Sequence, residues 1–297
     1  MSSTAIQQGA LTYRKRKASR LSLETVRGFL KAASLISGLR RRQQMKAVRV
    51  REVEIGTGRP KICVPIAAVS QEEIIKCAEA IACSAADIVE WRMDWYEDIF
   101  REKETAETLG KIREILGEKP LLSTFRTKGE GGEREAKPEE YKRLNEEVIR
   151  SGYTDLTDIE YFMGDGIVQP LSSLAKEYRV KTVLSNHDFA KTPAEGELFD
   201  RLQKMDKAGA DIAKIAVMPQ SRQDVLALLA ATERADRLLH CPIITMSMGK
   251  MGQISRICGE AFGSAVTFAS LGRASAPGQM NLEELKAVLD ILHGRQV

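Results

Sequence analysis

A lysine stands in the middle of an apolar run, Asp211-Ile212-Ala213-Lys214-Ile215-Ala216-Val217-Met218. In an extended strand its same-face neighbours are Ile212, Ala216 and Met218. Lysine is rarely buried without a partner or a task. Desolvated and near other cations, it would present a neutral amine able to attack a ketone; a lysine ion-paired inside a core is the alternative. A second apolar run ends Ser185-Asn186-His187-Asp188-Phe189 and carries one of the chain's three histidines. A neutral imidazole can take a proton near pH 7 and return it. Glu90-Trp91-Arg92-Met93-Asp94 ends a third run with three charges on one face, either a polar substrate cradle or a structural ion-pair layer. Thr124-Phe125-Arg126 ends a fourth and leads into Thr127-Lys128-Gly129-Glu130-Gly131-Gly132, a loop that taken alone could be a flexible turn. Met246 and Met248 alternate before Gly249, as an apolar wall or as ordinary core, and Ser255-Arg256 follows. Residues 270–279 form a small-residue stretch suited to a lid or to a plain linker.

These runs belong to a repeating pattern. Strands are expected at 61–67, 87–92, 120–126, 155–160, 180–187, 211–217, 242–247 and 264–269. Helices are expected near 71–83, 101–116, 138–151, 167–178, 194–208, 221–237, 252–262 and 282–293. Ser70 before Gln71-Glu72-Glu73 reads as an N-cap with acids in the first turn, and Pro138 before Glu139-Glu140 as an N1 proline. Gly117 and Gly209 are placed to end helices. Eight βα repeats in about 235 residues predict a single closed (β/α)8 TIM barrel, an α/β fold. The rival is a doubly wound open sheet, but no GxGxxG follows the first strand and no GxxxxGK[ST] occurs. In a barrel, the ends of these strands and the loops after them are where chemistry is done. His240 precedes the seventh strand, at the opposite end, and His293 lies in the last helix.

The net charge of +4 is uneven. Residues 1–51 hold thirteen Lys/Arg and one acid, Glu24, for +12, which leaves −8 on residues 52–297. The expected domains are therefore a basic extension, 1–51, disordered or partly helical, and a catalytic barrel, 52–297. Arg14–Lys17 and Arg40–Arg42 flank Leu21, Leu23, Val26, Phe29, Leu30 and Leu35, which could line one helix face. A nucleic-acid or targeting arm and a start at Met45 are alternative readings of this segment. Its apolar stretch is too short to span a membrane. Five cysteines without CxxC spacing read as free thiols in a reducing compartment, and no zinc-ligand spacing occurs.

A lysine nucleophile calls for a carbonyl substrate, and several arginines for an anionic or polyhydroxylated one. A base beside an imine would remove a proton α to that carbonyl, leading either to loss of a β-hydroxyl or to carbon–carbon cleavage. At this point the motifs are recognisable as a set. Glu90-x-Arg92-x-Asp94, Phe125-Arg126-Thr127-x-x-Glu130-Gly131-Gly132, Asn186-His187-Asp188-Phe189, Lys214-Ile215-Ala216-Val217-Met218, Met246-Ser247-Met248-Gly249, Ser255-Arg256 and Ser275-Ala276-Pro277-Gly278-Gln279 resemble type I 3-dehydroquinate dehydratases, in order, over roughly residues 60–293. The resemblance implies conversion of 3-dehydroquinate to 3-dehydroshikimate in the shikimate pathway of aromatic amino acid biosynthesis, by syn elimination through a Schiff base. It implies Lys214 as imine former, His187 as proton carrier and Glu130 as the residue that holds and tunes it. It assigns the substrate carboxylate to Arg256, and the ring and its hydroxyls to Glu90, Arg92 and Arg126. Met248 and Phe268 would form the apolar wall, with Ser275 and Gln279 closing from the lid. It implies neither metal nor organic cofactor, and a cytoplasmic homodimer. The chain departs from the pattern at Pro65, where some members offer a serine, and in its extension. The rivals are a class I aldolase on the same barrel, for which no phosphate-binding glycine signature is present, and a non-catalytic binding barrel.

Overall fold

The computed structural model describes residues 46–272 and 274–294. The expected amphipathic face in the extension, its basic runs and Arg273 of the lid lie outside the described residues. The chain divides into two units, Met1–Met45 and Lys46–Val297.

Within the second unit the alternating pattern forms as expected. Eight parallel strands follow one another around a barrel: β3 (Lys61–Ile66), β4 (Ile88–Arg92), β5 (Leu121–Thr124), β6 (Leu156–Glu160), β7 (Lys181–Asp188), β8 (Ile212–Val217), β9 (Ile243–Ser247) and β10 (Val266–Ser270). β10 pairs with β3. Between β9 and β10 the ladder is reduced to a bridge, Ile243 to Ser264, with Ala265 N donating to Ile243 O at 2.8 Å. The helices that cross between strands are α1 (Gln71–Ala82), α2 (Glu102–Leu116), α3 (Pro138–Arg150), α4 (Asp165–Glu177), α5 (Glu195–Lys207) and α6 (Arg222–Leu238). The expected helix at 252–262 is two short ones, α7 (Ile254–Ile257) and α8 (Gly259–Phe262), and α9 (Leu282–His293) ends the chain's regular structure. A two-residue strand, β11 (Met280–Asn281), returns from the lid beside β10.

Local chemistry explains the helix starts. Ser70 accepts from Glu73 N while the Glu73 carboxylate takes the Ser70 N–H, and Ser221 with Asp224 does the same for α6. Each box satisfies two N–H groups that the first turn would otherwise leave unpaired. Gly117 ends α2 at φ +52°.

The interior end of the barrel away from the strand termini is closed by a hairpin that the periodicity does not announce: β1 (Val48–Val50) and β2 (Val53–Ile55). Strands of three residues are too short for an alternating signal. The hairpin straddles the expected division between residues 51 and 52. Val50 and Ile55 join Cys63, Ile88, Leu122, Leu156, Val183, Ile212, Ile244 and Val266 in one apolar cluster. Arg51 takes φ +51° in the turn, a left-handed conformation that costs a side-chain-bearing residue about 1–2 kcal/mol. Its guanidinium meets Asp155 at 2.7 Å, and Asp155 also pairs with Arg113 at 2.7 Å, which ties the hairpin to the barrel.

Candidate active site

Side-chain alternation carries the interior from apolar to polar as it rises along the strands. Two residues beyond Ile88, Leu122, Leu156, Val183, Ile212, Ile244 and Val266 come Glu90, Thr124, Asp158, Ser185, Lys214, Met246 and Phe268. A further two bring Arg92, Arg126, Glu160, His187, Ala216 and Met248. Residues of the second and third layers line a cavity open to solvent at its mouth. Of the expected site residues, Glu90, Arg92, Arg126, Glu130, His187, Lys214, Met248, Phe268, Ser275 and Gln279 line it. Arg256, on α7, does not line it, but its guanidinium lies against Met246, which does.

Lys214 is 3% exposed, and its Nζ lies 3.1 Å from Asp158 Oδ2, 3.7 Å from Glu90 Oε1 and 4.9 Å from the centre of the Phe268 ring. The charged groups nearest to it are thus carboxylates, the ion-paired arrangement that the sequence left as the alternative. Asp158 is held by more than the lysine: Arg126 Nη2 donates to it at 2.7 Å and Ser185 Oγ at 2.6 Å. Burial pushes the Asp158 carboxyl up, but Arg126 and Lys214 outweigh it and hold the carboxyl below its usual value. Arg126 donates from Nη1 to Glu160 at 2.9 Å, and its pKa is raised well above normal because these carboxylates outweigh its desolvation.

His187 faces the same cavity, and burial first, then Arg126, Lys214 and Arg92, hold it well below the usual imidazole pKa. It is a neutral base. Its Nδ1 lies 3.0 Å from Glu130 Oε2, and its backbone N–H donates to the same oxygen at 2.9 Å. Burial raises the Glu130 carboxyl to about 7, against the opposing pull of Arg126. A carboxyl and an imidazole this close titrate as a pair. With Glu130 ionised, the carboxylate can only accept, so Nδ1 carries the hydrogen and Nε2 keeps its lone pair.

The loop that holds Glu130 is a tight turn, not a flexible one. Gly132 N donates to Thr127 O at 2.9 Å and Lys128 N to Arg134 O at 2.9 Å. A Cβ on Gly132 would lie 1.9 Å from Arg126 O, and Gly131, at φ +83°, packs under the Phe189 ring so closely that a Cβ would overlap it. The glycines let the Glu130 and His187 loops lie against each other.

Asp94 does not line the cavity. It forms a two-pronged bond with Arg92, both arms 2.8 Å, and accepts from Arg126 N and Glu133 N. The structural ion-pair reading therefore holds for Asp94, while Glu90 and Arg92 face the cavity. The loop after β10 is pinned by the site's arginines: Arg92 Nη1 donates to Ser275 O at 3.3 Å and Arg256 Nη2 to Pro277 O at 3.0 Å. The Gln279 side chain bonds back to Ser275. His240 and His293 pair with Asp206 and Glu260, away from this site.

Asp158 and Glu160 are the functional residues that the motif reading misses. They alternate in Leu156-Thr157-Asp158-Ile159-Glu160, the same signal that marks Glu90 and Arg92. Among the described residues no group of three or more His, Cys, Asp or Glu could hold a metal ion, and no helix is long and apolar enough to cross a membrane.

A buried amine, a neutral imidazole and converging arginines at the mouth of a (β/α)8 barrel define the site of an enzyme acting on an anionic carbonyl compound. The chain belongs to the type I 3-dehydroquinase family, whose model matches residues 62–296. It is 47% identical over 253 residues to a 3-dehydroquinate dehydratase of Clostridioides difficile (strain 630), covering 84% of this chain and 98% of the relative. A crystal structure of the type I enzyme from Clostridium difficile, with covalently modified comenic acid, superposes with a TM-score of 0.81 at 47% identity, over 83% of this chain and 98% of that one. The enzyme from Geobacillus kaustophilus HTA426 superposes at 0.82 with 40% identity, over 85% and 98%.

Proposed function

We propose that this type I dehydroquinase removes water from 3-dehydroquinate through an imine on Lys214, and so acts in the shikimate pathway. The observation that carries the mechanism is that a buried lysine amine and an imidazole held neutral line the same cavity. Lys214 attacks the C3 ketone, and the carbonyl oxygen leaves as water. His187 Nε2 takes the C2 proton, and the C–H electrons move into the ring as the iminium nitrogen becomes a neutral enamine. The enamine electrons then expel the C1 hydroxyl, which takes the proton back from His187 and leaves as water. Hydrolysis of the conjugated iminium restores Lys214 and releases 3-dehydroshikimate. Glu130 stabilises the imidazolium that forms between these steps.

Arg256 is the group for the substrate carboxylate, since it is buried without an acidic partner among the described residues, with Nε unsatisfied. Glu90, Arg92 and Arg126 orient the ring hydroxyls. Met248 and Phe268 supply the apolar wall, with Ser275 and Gln279 over the top. The covalent ligand in the Clostridium difficile structure supports an amine or other nucleophile in the family's site.

The finer setting belongs to the same reading. The described cysteines are unpaired, which fits a reducing cytoplasm. The enzyme acts as a homodimer, to be checked by light scattering, and residues 1–45 lie outside the catalytic unit, so a chain starting at Lys46 retains turnover.

Borohydride reduction in the presence of 3-dehydroquinate, followed by peptide mapping, tests the mechanism. A ligand-sized adduct on Lys214 is expected. Folded, active protein without an adduct would sink the covalent route. Turnover of a phosphorylated aldol substrate instead would favour the aldolase reading.

A further inference from the structure

Glu130 has a second side. Its Oε2 faces His187, but its Oε1 accepts from Asn186 Nδ2 at 3.0 Å. The other end of that amide, Asn186 Oδ1, accepts from Arg201 Nη1 at 2.8 Å. Arg201 lies on α5, outside the barrel wall, and does not line the cavity. Its guanidinium is fixed on two further sides: it pairs with Glu197 one turn earlier, and its face rests 5.6 Å from the centre of the Phe162 ring. A cation on the helix layer is thus joined to the imidazole by three consecutive hydrogen bonds.

The chain has a direction, and Arg201 sets it. A guanidinium can only donate. It therefore fixes the carbonyl end of the Asn186 amide towards itself and the N–H₂ end towards Glu130. Without that donor only Glu130 orients the amide, and once Glu130 is protonated the amide can turn over and accept from it, which favours the neutral carboxyl. With it, Glu130 receives a donor from Asn186 and is favoured in its ionised, accepting form, and His187 is held with hydrogen on Nδ1 and a free Nε2. We propose that Asn186 and Arg201 are positioning residues for the dehydration, a directed relay that fixes the tautomer and orientation of His187 through Glu130. This rests on the assignment of His187 as proton carrier.

The groups facing Glu130 are known from every neighbouring strand, so the direction of the effect follows. Arg126, two residues beyond β5, favours its ionised form, Glu160 of β6 disfavours it, and Asn186 and the His187 N–H of β7 favour it by hydrogen bonding. Arg201 comes from α5, with Glu197 beside it. Loss of Arg201 removes the donor that orients Asn186 and so weakens the Asn186 hydrogen bond that favours the ionised form. The carboxylate then protonates at a higher pH, and the acid limb of kcat/KM moves up.

The test is Arg201→Met, which keeps the aliphatic length and removes the donors, with Arg201→Lys as the conservative partner. Each is measured for kcat/KM against pH, for KM, for melting temperature, and for the tautomer of His187 by nitrogen-15 NMR, feasible with three histidines in the chain. Arg201→Met should move the acid limb up by about half to one pH unit, lower kcat near pH 7 by roughly three- to tenfold, leave KM unchanged and lose the pure Nδ1–H tautomer. Arg201→Lys should restore part of the shift. A lower melting temperature with an unmoved pH profile and an unchanged tautomer would overturn the relay and leave Arg201 a structural residue. His187→Ala is the control for the underlying assignment: if it turns over normally, the reading of His187 fails, whereas a dead His187→Ala beside an unshifted Arg201→Met rejects the relay alone.

Discussion

Arg256→Met separates what this arginine does for the fold from what it does for the substrate. Arg256 is 1% exposed. Its Nη2 donates to Pro277 O, Nη1 lies 3.8 Å from the Met246 sulfur, and Nε has no partner among the described residues. Desolvation alone lowers its pKa from the usual 12.5 to about 10. That drop corresponds to about 3 kcal/mol of unfavourable burial. The sign is that of a base with a depressed folded-state pKa. Below about pH 10 both folded and unfolded states hold the proton, so the full cost is present at neutral pH, and it falls away only as pH rises from about 10 towards 12.5. Methionine fills a similar volume without the charge. It removes the charged donor to Pro277 O, a hydrogen bond of about 1.5–3 kcal/mol, while Gly249 N still donates to that oxygen at 3.2 Å. The two terms nearly cancel, so the melting temperature of the ligand-free protein should stay within a few degrees of wild type. The substrate carboxylate, in contrast, loses a charge-assisted hydrogen bond of about 1.5–3 kcal/mol, or roughly 10- to 100-fold in KM. Thermal melting and steady-state kinetics on the same preparation read both. A large loss of stability with an unchanged KM would refute the argument and make Arg256 a strut for the lid.

Other perturbations bear on the remaining roles. His187→Ala should still yield the reduced adduct on Lys214 while kcat falls by about 10²- to 10⁴-fold; normal turnover would remove His187 from the mechanism. Glu130→Gln should abolish an acid limb of kcat/KM near pH 7, where the Glu130 carboxyl titrates, and a limb that persists unchanged would belong to other groups. Asp158→Asn should destabilise by about 3–5 kcal/mol, because Arg126 and Lys214 lose a buried counter-charge; denaturant unfolding with an unchanged midpoint would refute this. Since the Asp158 carboxyl is held below its usual 3.8, its contribution is present above that pH and is lost as pH falls through the folded-state value, so acid unfolding of Asp158→Asn should be less steep than that of wild type.

The chemistry was legible wherever a polar side chain interrupts an apolar strand. Lys214 and His187 stand out for that reason, and the barrel rule puts both at one mouth. The same alternation marks Asp158 and Glu160, but a motif reading passes over them because the following Tyr161-Phe162-Met163 carries no polar loop to draw attention. The hairpin plug was not legible, since two strands of three residues give no periodicity and Arg51 occupies a turn position where asparagine or glycine is the usual signal. The helix expected at 252–262 breaks at Cys258, beside Gly259, where a Cβ would crowd Pro60 from the far side of the sequence.

What surrounds the amine is the deeper limit. A buried lysine says that its partners must exist, but not which sign they carry. In a parallel barrel each strand is offset from the next, so the residues beside Nζ are set by register: Ser185 pairs with both Lys214 and Glu160, and Asp158 pairs with Thr124. That offset brings Asp158 and Glu90 to the amine and leaves Arg126 on the far side of Asp158. A shift by two residues on β6 would keep the same face of the strand turned inward, yet would replace Asp158 beside Lys214 with Leu156 or Glu160. The alternation that makes the site visible in the sequence is blind to that change, and the charge around the nucleophile is a property of the closed barrel alone.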